Sequence, residues 1–292
     1  MNDYHIPVLL DEAIELLKIK KEGKYIDCTL GGGGHTQAIL DNGGLVLAID
    51  QDPEAIGNAQ NNFKIEILNK RLFLKHGNFA HLDSYIQEIG WNQVDGVLMD
   101  LGVSSHQLET SYRGFSFNKE ADLDMRMDQS SQYATAKDLI NGLGEKELKE
   151  LFIKLGEENF AGPIARKIVE SRKVEAITTT NHLAKIILAV RRKGTGDRSH
   201  PATRVFQALR IAVNDELNSL REALPRAVDI LSPGGILAVI SFHSLEDRIV
   251  KEFFNNKKKP IEPTEKEIQD NSRARSGKLR YFEKLKAESS YE

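Results

Sequence analysis

Short apolar runs alternate with segments of helical periodicity over the first 100 residues. Runs typical of buried strands lie at residues 25–29, 45–50, 72–74 and 94–100. Before and between them, apolar residues three and four positions apart predict helices at residues 7–19, 36–42, from 53 onward, and 81–89. This alternation predicts an α/β fold with a parallel, doubly wound sheet.

The alternation stops after Asp100. Residues 102–203 contain no convincing strand pattern, and their periodicity predicts helices at residues 136–143, 145–155, 161–172 and 180–191. We therefore expect a helical domain inserted after the fourth strand. The predicted division is residues 1–104 with 204–292 for the sheet domain, and residues 105–203 for an inserted, substrate-recognition domain.

The sheet pattern returns near the C-terminus. Residues 201–231 predict one long amphipathic helix that breaks before Pro225. A fifth strand is expected at residues 236–240, and a capping-box pattern that begins at Ser244 opens a helix. Residues 279–285 are compatible with a last strand.

Four consecutive glycines, Gly31 to Gly34, follow the first strand. Glycine leaves the backbone bare and adopts positive φ without strain, so the run predicts a ligand-binding loop, and a flexible turn is the alternative for the run taken alone. The dinucleotide motif G-x-G-x-x-G is absent, because Thr36 occupies the place of its third glycine. No G-K-[ST] follows either, so the loop is not a P-loop.

An acidic residue ends each of two predicted strands. In a doubly wound sheet the ligand lies beyond the carboxyl ends of the strands, where strand order reverses. Asp50, about twenty residues after the glycine loop, is placed to accept hydrogen bonds from ribose hydroxyls. The alternative is that Asp50 only helps Asp52 to cap a helix. Together with the missing third glycine, these features favour S-adenosylmethionine over NAD.

Composition narrows the class of protein. With 292 residues and 40% hydrophobic content the chain should be globular, and without an apolar run of about 18 residues or a signal segment it is expected to be cytoplasmic, with no membrane partner. Cys28 is the single cysteine, and the histidines show no ligand spacing, so neither a disulfide nor a metal site is expected. The sequence leaves oligomeric state open, a homodimer included.

Basic residues are concentrated late in the chain, although the net charge is −3. Residues 161–215 contain eleven basic and four acidic side chains. A second basic group consists of Lys257, Lys258, Lys259, Arg273, Arg275, Lys278 and Arg280. Such groups are compatible with a solvated face and with a surface that binds RNA phosphates.

Several sequence blocks resemble a known family. The chain is similar to RsmH, formerly MraW, the family of ribosomal RNA small subunit methyltransferases H. The resemblance extends from residues 5–10 to 276–280 and is strongest in the blocks 27–35 (DCTLGGGGH), 100–108 (DLGVSSHQL), 113–117 (RGFSF), 123–127 (LDMRM), 200–204 (HPATR) and 240–248 (ISFHSLEDR).

The resemblance implies both a fold and an activity. It implies a class I S-adenosylmethionine-dependent methyltransferase with a helical insertion after the fourth strand. It also implies N4-methylation of a cytosine, cytosine 1402, in the decoding region of 16S rRNA within the small ribosomal subunit. The implied cofactor-binding residues are Gly33, Gly34, His35, Asp50, Phe79, Asp100 and Gln107.

No motif identifies the acceptor of the amine proton, because Asp100-Leu101-Gly102-Val103 stands after the fourth strand in place of the D-P-P-Y or S-P-P-Y motif of many amino-methyltransferases. Topology places Asp100, Ser104, Ser105, His106, Ser241 and His243 near the reacting amine. Of these we predict catalytic roles for Asp100, Ser104 and His243, although His243 could instead order its loop. A nicotinamide oxidoreductase and a non-catalytic RNA-binding protein are the alternative classes.

Overall fold

The chain divides into two units in the computed structural model, which describes residues 7–191, 200–255 and 258–285. The first unit combines the residues up to Ser104 with those from Leu217 onward, and the second spans Ser105–Glu216. The helical insertion therefore begins where the sequence predicts it.

A mixed sheet organises the first unit. Within the described residues its strand order is β3-β2-β1-β4-β5-β6, with the last strand antiparallel to β5 and the other pairs parallel. Strand order reverses between β1 and β4, so the predicted switch point is confirmed. The strands are β1 (Lys24–Asp27), β2 (Leu45–Asp50), β3 (Leu72–His76), β4 (Val94–Asp100), β5 (Leu231–Ser241) and β6 (Lys278–Glu283).

Helices cover both faces of this sheet. In β2, Leu47 and Ile49 belong to one apolar cluster, whereas Val46 and Ala48 belong to the other. A strand buried on both faces is apolar at nearly every position, as this one is. The helices of this unit are α1 (Leu10–Leu17), α2 (Gly34–Asp41), α3 (Pro53–Asn62), α4 (Lys64–Leu68) and α5 (Leu82–Glu88), and, after the insertion, α12 (Glu216–Ile230), α13 (Ser244–Phe253) and α14 (Glu265–Asp270).

The inserted unit is helical, as predicted. Its helices α8, α9 and α10 pack in succession, and α8 also packs against α11. A side chain at Gly156 would place its Cβ 2.5 Å from the carbonyl oxygen of Arg204, so glycine is required where α8 and α11 meet. The helices are α6 (Ser105–Glu109), α7 (Ala136–Gly142), α8 (Glu145–Gly156), α9 (Ala161–Arg172), α10 (Thr180–Val190) and α11 (Thr203–Asn214).

Two predictions for the end of the insertion are wrong. Because α11 packs against α7 and α8, it belongs to the inserted unit, and the boundary follows Glu216 rather than residue 203. The helix break lies at Asp215, with φ +49, and not before Pro225, which is inside α12. Burial of Leu220 and Leu224 on the sheet offsets the roughly 3 kcal/mol that an interior proline costs.

The antiparallel strand β6 attaches α13 to the sheet. The guanidinium of Arg280 donates to both carboxylate oxygens of Asp247, at 2.7 and 3.4 Å. Burial would raise the pKa of Asp247, but the hydrogen bonds and positive charge of Arg280 outweigh it and hold that pKa below its usual value.

Among the described residues, no helix is long and apolar enough to cross a membrane.

Candidate active site

The glycine loop joins β1 to α2 at the carboxyl edge of the sheet. Gly31 and Gly33 have left-handed φ angles of +49° and +83°. A Cβ on Gly31 would meet no atom nearer than 3.8 Å, whereas one on Gly33 would lie 2.8 Å from the ring of Phe63 and one on Gly34 2.2 Å from Cγ of Pro7. Packing therefore does not require glycine at Gly31, where the positive φ favours it instead. Gly33 and Gly34 are required by packing, and their cofactor contacts stay a prediction.

Asp27 stabilises the base of this loop. Its carboxylate accepts hydrogen bonds from Oγ1 of Thr36 at 2.7 Å and from the backbone N–H of Thr29 at 3.1 Å. Burial raises its pKa despite these hydrogen bonds. Sequence reasoning gave Asp27 no role, although an acid at the end of an apolar strand next to a glycine run was the available signal.

Asp50 holds the glycine loop directly. Its Oδ2 accepts from the backbone N–H of Gly31 and its Oδ1 from that of Asp52, both at 2.8 Å. Asp52 caps α3 by accepting from the N–H of Glu54 at 3.0 Å. Burial raises the pKa of Asp50 to about 6, even though both backbone hydrogen bonds act to lower it. Each carboxylate oxygen has a second lone pair, which leaves capacity for ribose hydroxyls.

Asp100 ends β4 on the other side of the switch point. Its backbone N–H donates to Oγ1 of Thr29 at 2.7 Å, which ties β4 to the start of the glycine loop. Its Oδ2 lies 3.7 Å from Nδ1 of His35, within ion-pair distance but too far for a hydrogen bond. Its Oδ1 is buried and has no hydrogen-bond partner among the residues that the structure describes.

The proton affinity of Asp100 is unusual for an aspartate. Burial raises its pKa well above the ordinary value, and the negative charges of Asp27 and Glu246 raise it further. A buried carboxyl with an unsatisfied oxygen is costly in the free protein, and such sites are often ligand-binding or catalytic.

The loop after β4 lies beside the glycine loop, as the topology predicts. The two atoms nearest to the Cβ position of Gly31 are Cβ of Ser104 and the carbonyl oxygen of Thr29, each at 3.8 Å. Gly102 has a φ of +101°, so this loop also turns through a conformation that favours glycine. Ser104 therefore lies beside Gly31 of the glycine loop, and its catalytic role stays a prediction.

His243 acts as a helix cap. Its Nδ1 accepts from the backbone N–H of Glu246 at 3.4 Å, and its Nε2 lies 3.0 Å from Oε1 of the same residue. The expected cap, Ser244, is instead the first residue of α13. Both ring nitrogens of His243 thus face Glu246, and the catalytic role of His243 stays a prediction.

The remaining candidates have structural contacts. Phe79 is only 9% exposed and packs in the core beneath β2 and β4, so adenine stacking by its ring stays a prediction. Ser241 is buried and donates to the carbonyl oxygen of Lys278 at 3.4 Å. Ser105, His106 and Gln107 lie on α6 of the inserted unit, where Gln107 is buried. Their predicted roles are untested.

Several basic residues are held by protein groups. Arg191 lies 3.5 Å from the buried carboxylate of Glu158 and 5.5 Å from the ring centroid of Phe160. Arg210 forms a two-point ion pair with Glu216, and Arg280 is buried against Asp247. Arg166 also lies near a carboxylate, 3.6 Å from Oε1 of Glu145, but its side chain is 69% exposed. Arg192, Lys193, Arg198 and Lys257 lie outside the described residues.

The residues at the sheet edge fit S-adenosylmethionine. The glycine loop turns through positive φ at Gly31, Asp50 lies about twenty residues further on with carboxylate lone pairs to spare, and Oδ1 of Asp100 is buried without a hydrogen-bond partner among the described residues. A cofactor with ribose hydroxyls and a positive charge would satisfy these groups. The doubly wound sheet and this site define a class I S-adenosylmethionine-dependent methyltransferase.

Comparison with known proteins identifies the family. The sequence profile of the MraW methylase family matches residues 2–259, and the chain belongs to this family. This membership decides against the oxidoreductase and non-catalytic alternatives.

Curated relatives share most of their length with this chain. A protein of Brevibacillus brevis is 44% identical over 97% of this chain and 98% of its own, and one of Carboxydothermus hydrogenoformans is 45% identical over 96% and 98%. Both are named ribosomal RNA small subunit methyltransferase H. A crystal structure of an rRNA methylase from Streptococcus thermophilus covers 94% of this chain and 95% of its own. Its sequence is 13% identical to this chain and its TM-score is 0.45.

Proposed function

We propose that this protein methylates the exocyclic N4 amine of a cytosine in 16S rRNA, with S-adenosylmethionine as the methyl donor. Two relatives at 44% and 45% identity carry the name ribosomal RNA small subunit methyltransferase H, which supports an rRNA substrate. The resemblance of the sequence blocks to RsmH supports cytosine 1402 as the target.

The observation that carries this proposal is the buried, unpartnered Oδ1 atom of Asp100. The N4 amine of cytosine is a poor nucleophile, because its lone pair is delocalised into the ring. Positive charge grows on this nitrogen as the new N–C bond forms, and one of its protons must then leave. A carboxylate with a free lone pair can accept a hydrogen bond from the amine and take that proton.

The chain provides groups for each part of the transfer. When bound, the cofactor supplies an electrophilic methyl group on a sulfonium. Asp50 and the backbone at Gly31 bind and orient the ribose side of the ligand, while Asp100 holds the acceptor oxygen. Positioning of this kind supplies a large part of the rate enhancement in methyl transfer, because the two reacting atoms must lie in line.

The charge of Asp100 also suits a cationic ligand. The raised pKa favours its protonated form in the free protein. A positive charge bound nearby favours the ionised form, so the carboxylate becomes available when the donor is present. We infer that cofactor binding and ionisation of Asp100 are coupled.

The inserted unit is the proposed RNA-recognition domain. Exposed basic side chains such as Arg166 are suited to phosphate contacts, whereas Arg191 and Arg210 are not, because their side chains are mostly buried against carboxylates. The net charge of −3 gives the chain little nonspecific attraction to naked RNA. A partly or fully assembled small subunit is therefore the proposed substrate.

The direct test compares cells with and without the gene for this protein. Small-subunit RNA is digested to nucleosides and fragments, and methylated cytidines are identified by mass spectrometry. The proposal predicts that N4-methylcytidine at the decoding-region position is lost without the protein. An unchanged level of N4-methylcytidine, or loss of 5-methylcytidine instead, would contradict it.

A further inference from the structure

Glu246 is a buried carboxylate to which sequence reasoning gave no chemical role. It is 2% exposed and lies in the first turn of α13. Its Oε2 accepts from the backbone N–H groups of Phe242 at 2.8 Å and His243 at 3.3 Å, and its Oε1 lies 3.0 Å from Nε2 of His243. These contacts of its carboxylate go to the segment that follows β5.

That segment adjoins Asp100. Strands β4 and β5 are parallel neighbours, with Asp100 paired to Ile240, and the N–H of Leu101 donates to the carbonyl oxygen of Ile240 at 2.9 Å. Two residues beyond the paired Asp100 and Ile240, the ring of Phe242 lies 3.8 Å from the Cβ position of Gly102. By holding the backbone N–H groups of Phe242 and His243, Glu246 thus orders the segment that lies beside Gly102 in the loop after Asp100.

The charged groups around Asp100 come from three elements. Asp27 approaches from the end of β1, Glu246 from α13, and His35 from α2 at 3.7 Å. Two of these three are carboxylates, and Glu246 also lies 3.0 Å from Nε2 of His243. The pKa of Asp100 is raised first by burial and then by these two acids.

We propose that Glu246 is a positioning residue for the methyl transfer, which orders the segment after β5 and presents a second negative charge to Asp100. This inference rests on the proposed function for its role in the transfer, but not for its coupling to Asp100. Glu246 itself does not touch the reacting atoms. It acts on the reaction through Asp100 and through the loop that Phe242 supports.

The coupling can be measured in the free enzyme without RNA. Aspartate labelled with 13C at the side-chain carboxyl carbon is titrated by NMR, with the Asp100 signal assigned by its absence in Asp100→Asn. The titration midpoint of Asp100 should lie at lower pH in Glu246→Gln than in the parent, because a neighbouring negative charge is removed. The matched control is Glu252→Gln, an exposed acid on the same helix, which should leave the midpoint unchanged. Equal midpoints in Glu246→Gln and the parent would overturn the proposal.

A second variant keeps the test decisive even when Glu246→Gln does not fold. Glu246→Ala removes the same negative charge, so the midpoint of Asp100 should again lie at lower pH than in the parent. An unshifted midpoint of Asp100 in a folded Glu246→Ala protein would contradict the coupling.

Kinetics then separate positioning from mere stability. Glu246→Gln should lower kcat at least tenfold with the KM for cofactor within about twofold, and should move the acid limb of the pH profile to lower pH. Glu246→Asp keeps the charge and should keep the limb. A Glu246→Gln enzyme with the parent's kcat and pH profile would refute the role. A parent enzyme that is inactive on small subunits would count against the proposed function, not against the coupling.

Discussion

The backbone N–H of Gly31 donates to Oδ2 of Asp50 at 2.8 Å, so the acid that ends the second strand also fixes the turn that follows the first. Gly31 has a φ of +49°, and its Cβ position has only ordinary van der Waals contacts, at 3.8 Å. Asp50 therefore shapes the loop, and its remaining lone pairs are the predicted acceptors for the ribose hydroxyls.

Asp50→Ala should weaken cofactor binding by roughly 2–4 kcal/mol, because ribose hydroxyls lose a charged acceptor and the Gly31 turn loses its anchor. The pKa of Asp50 in the free protein is about 6, so affinity in the parent should also decline as the pH falls below that value. Calorimetric titration between pH 5 and pH 8 measures both effects.

The exposed Asp229→Asn is the control for the Asp50 variant, and it should bind cofactor as the parent does. Unchanged affinity in Asp50→Ala would remove Asp50 from the site. Weakened affinity without any pH dependence would instead leave only its role in the loop.

Asp100→Asn should stabilise the free protein by about 0.5–2 kcal/mol near neutral pH, the usual gain when one unfavourable site is relieved. The folded pKa of Asp100 lies above the unfolded value of about 4, so its favourable contribution is present below pH 4 and is lost as the pH rises through the folded pKa. The asparagine variant has no such loss. Its advantage in the free energy of unfolding should therefore grow with pH, as denaturation at several pH values would show.

Destabilisation of Asp100→Asn at every pH would mean that the carboxyl forms a favourable contact. That outcome would contradict the inferred cost of the unpartnered Oδ1 atom.

Cys28→Ala should retain methyl transfer within roughly tenfold, a modest packing effect. Methylation at ring carbon five of cytosine requires a cysteine thiolate, and Cys28 is the single cysteine. Its side chain is 1% exposed and burial raises its pKa well above the ordinary value, so the thiolate is disfavoured. Single-turnover assays of the variant and the parent provide the comparison.

A 5-fluorocytosine substrate adds an independent check, because it should not trap the enzyme. A covalent adduct through Cys28, or loss of activity in a folded Cys28→Ala enzyme that still binds cofactor, would overturn attack by the amine.

Arg191→Glu should destabilise the inserted unit by roughly 2–4 kcal/mol, somewhat less than the loss of a fully buried ion pair because Arg191 is partly exposed. The variant leaves the buried Glu158 carboxylate without its cation and adds a like charge beside it. Thermal unfolding measures the loss. The exposed Arg166→Glu is the matched control and should unfold like the parent, while its RNA affinity and the salt dependence of that affinity decrease.

If Arg191→Glu unfolds like the parent yet binds RNA less tightly, Arg191 is a phosphate contact after all. If Arg166→Glu binds RNA as the parent does, the side chain of Arg166 faces solvent and does not contact RNA.

The sheet was predictable because its strands are buried on both faces. Leu45–Asp50 is apolar at almost every position, and such a pattern has few other structural solutions. The insertion boundary was not predictable, because the apolar stripe continues across Asp215 and the sequence does not show which unit buries it. The helix break predicted before Pro225 is wrong for a related reason. Packing of α12 on the sheet outweighs the tendency of proline to end a helix.

The sequence predicted where the acidic residues of the site lie, but not which contacts they make. Asp50 and Asp100 stand at strand ends, where topology alone brings them to one edge. The packing of Gly33 against Phe63 and of Gly34 against Pro7 depends on distant residues, and no local pattern reveals it. The same holds for Glu246, whose partners were visible as a capping pattern but whose influence on Asp100 depends on the pairing of β4 with β5.

The central claim is that Asp100 assists methyl transfer to N4 of a cytosine in the small subunit. Small subunits from cells that lack the protein are incubated with purified enzyme and isotopically labelled S-adenosylmethionine, and the product nucleosides are analysed by mass spectrometry. We predict labelled N4-methylcytidine with the parent enzyme, and a rate at least about 100-fold lower with a folded Asp100→Ala enzyme. Label in 5-methylcytidine or in another base, or an unimpaired Asp100→Ala enzyme, would contradict the account.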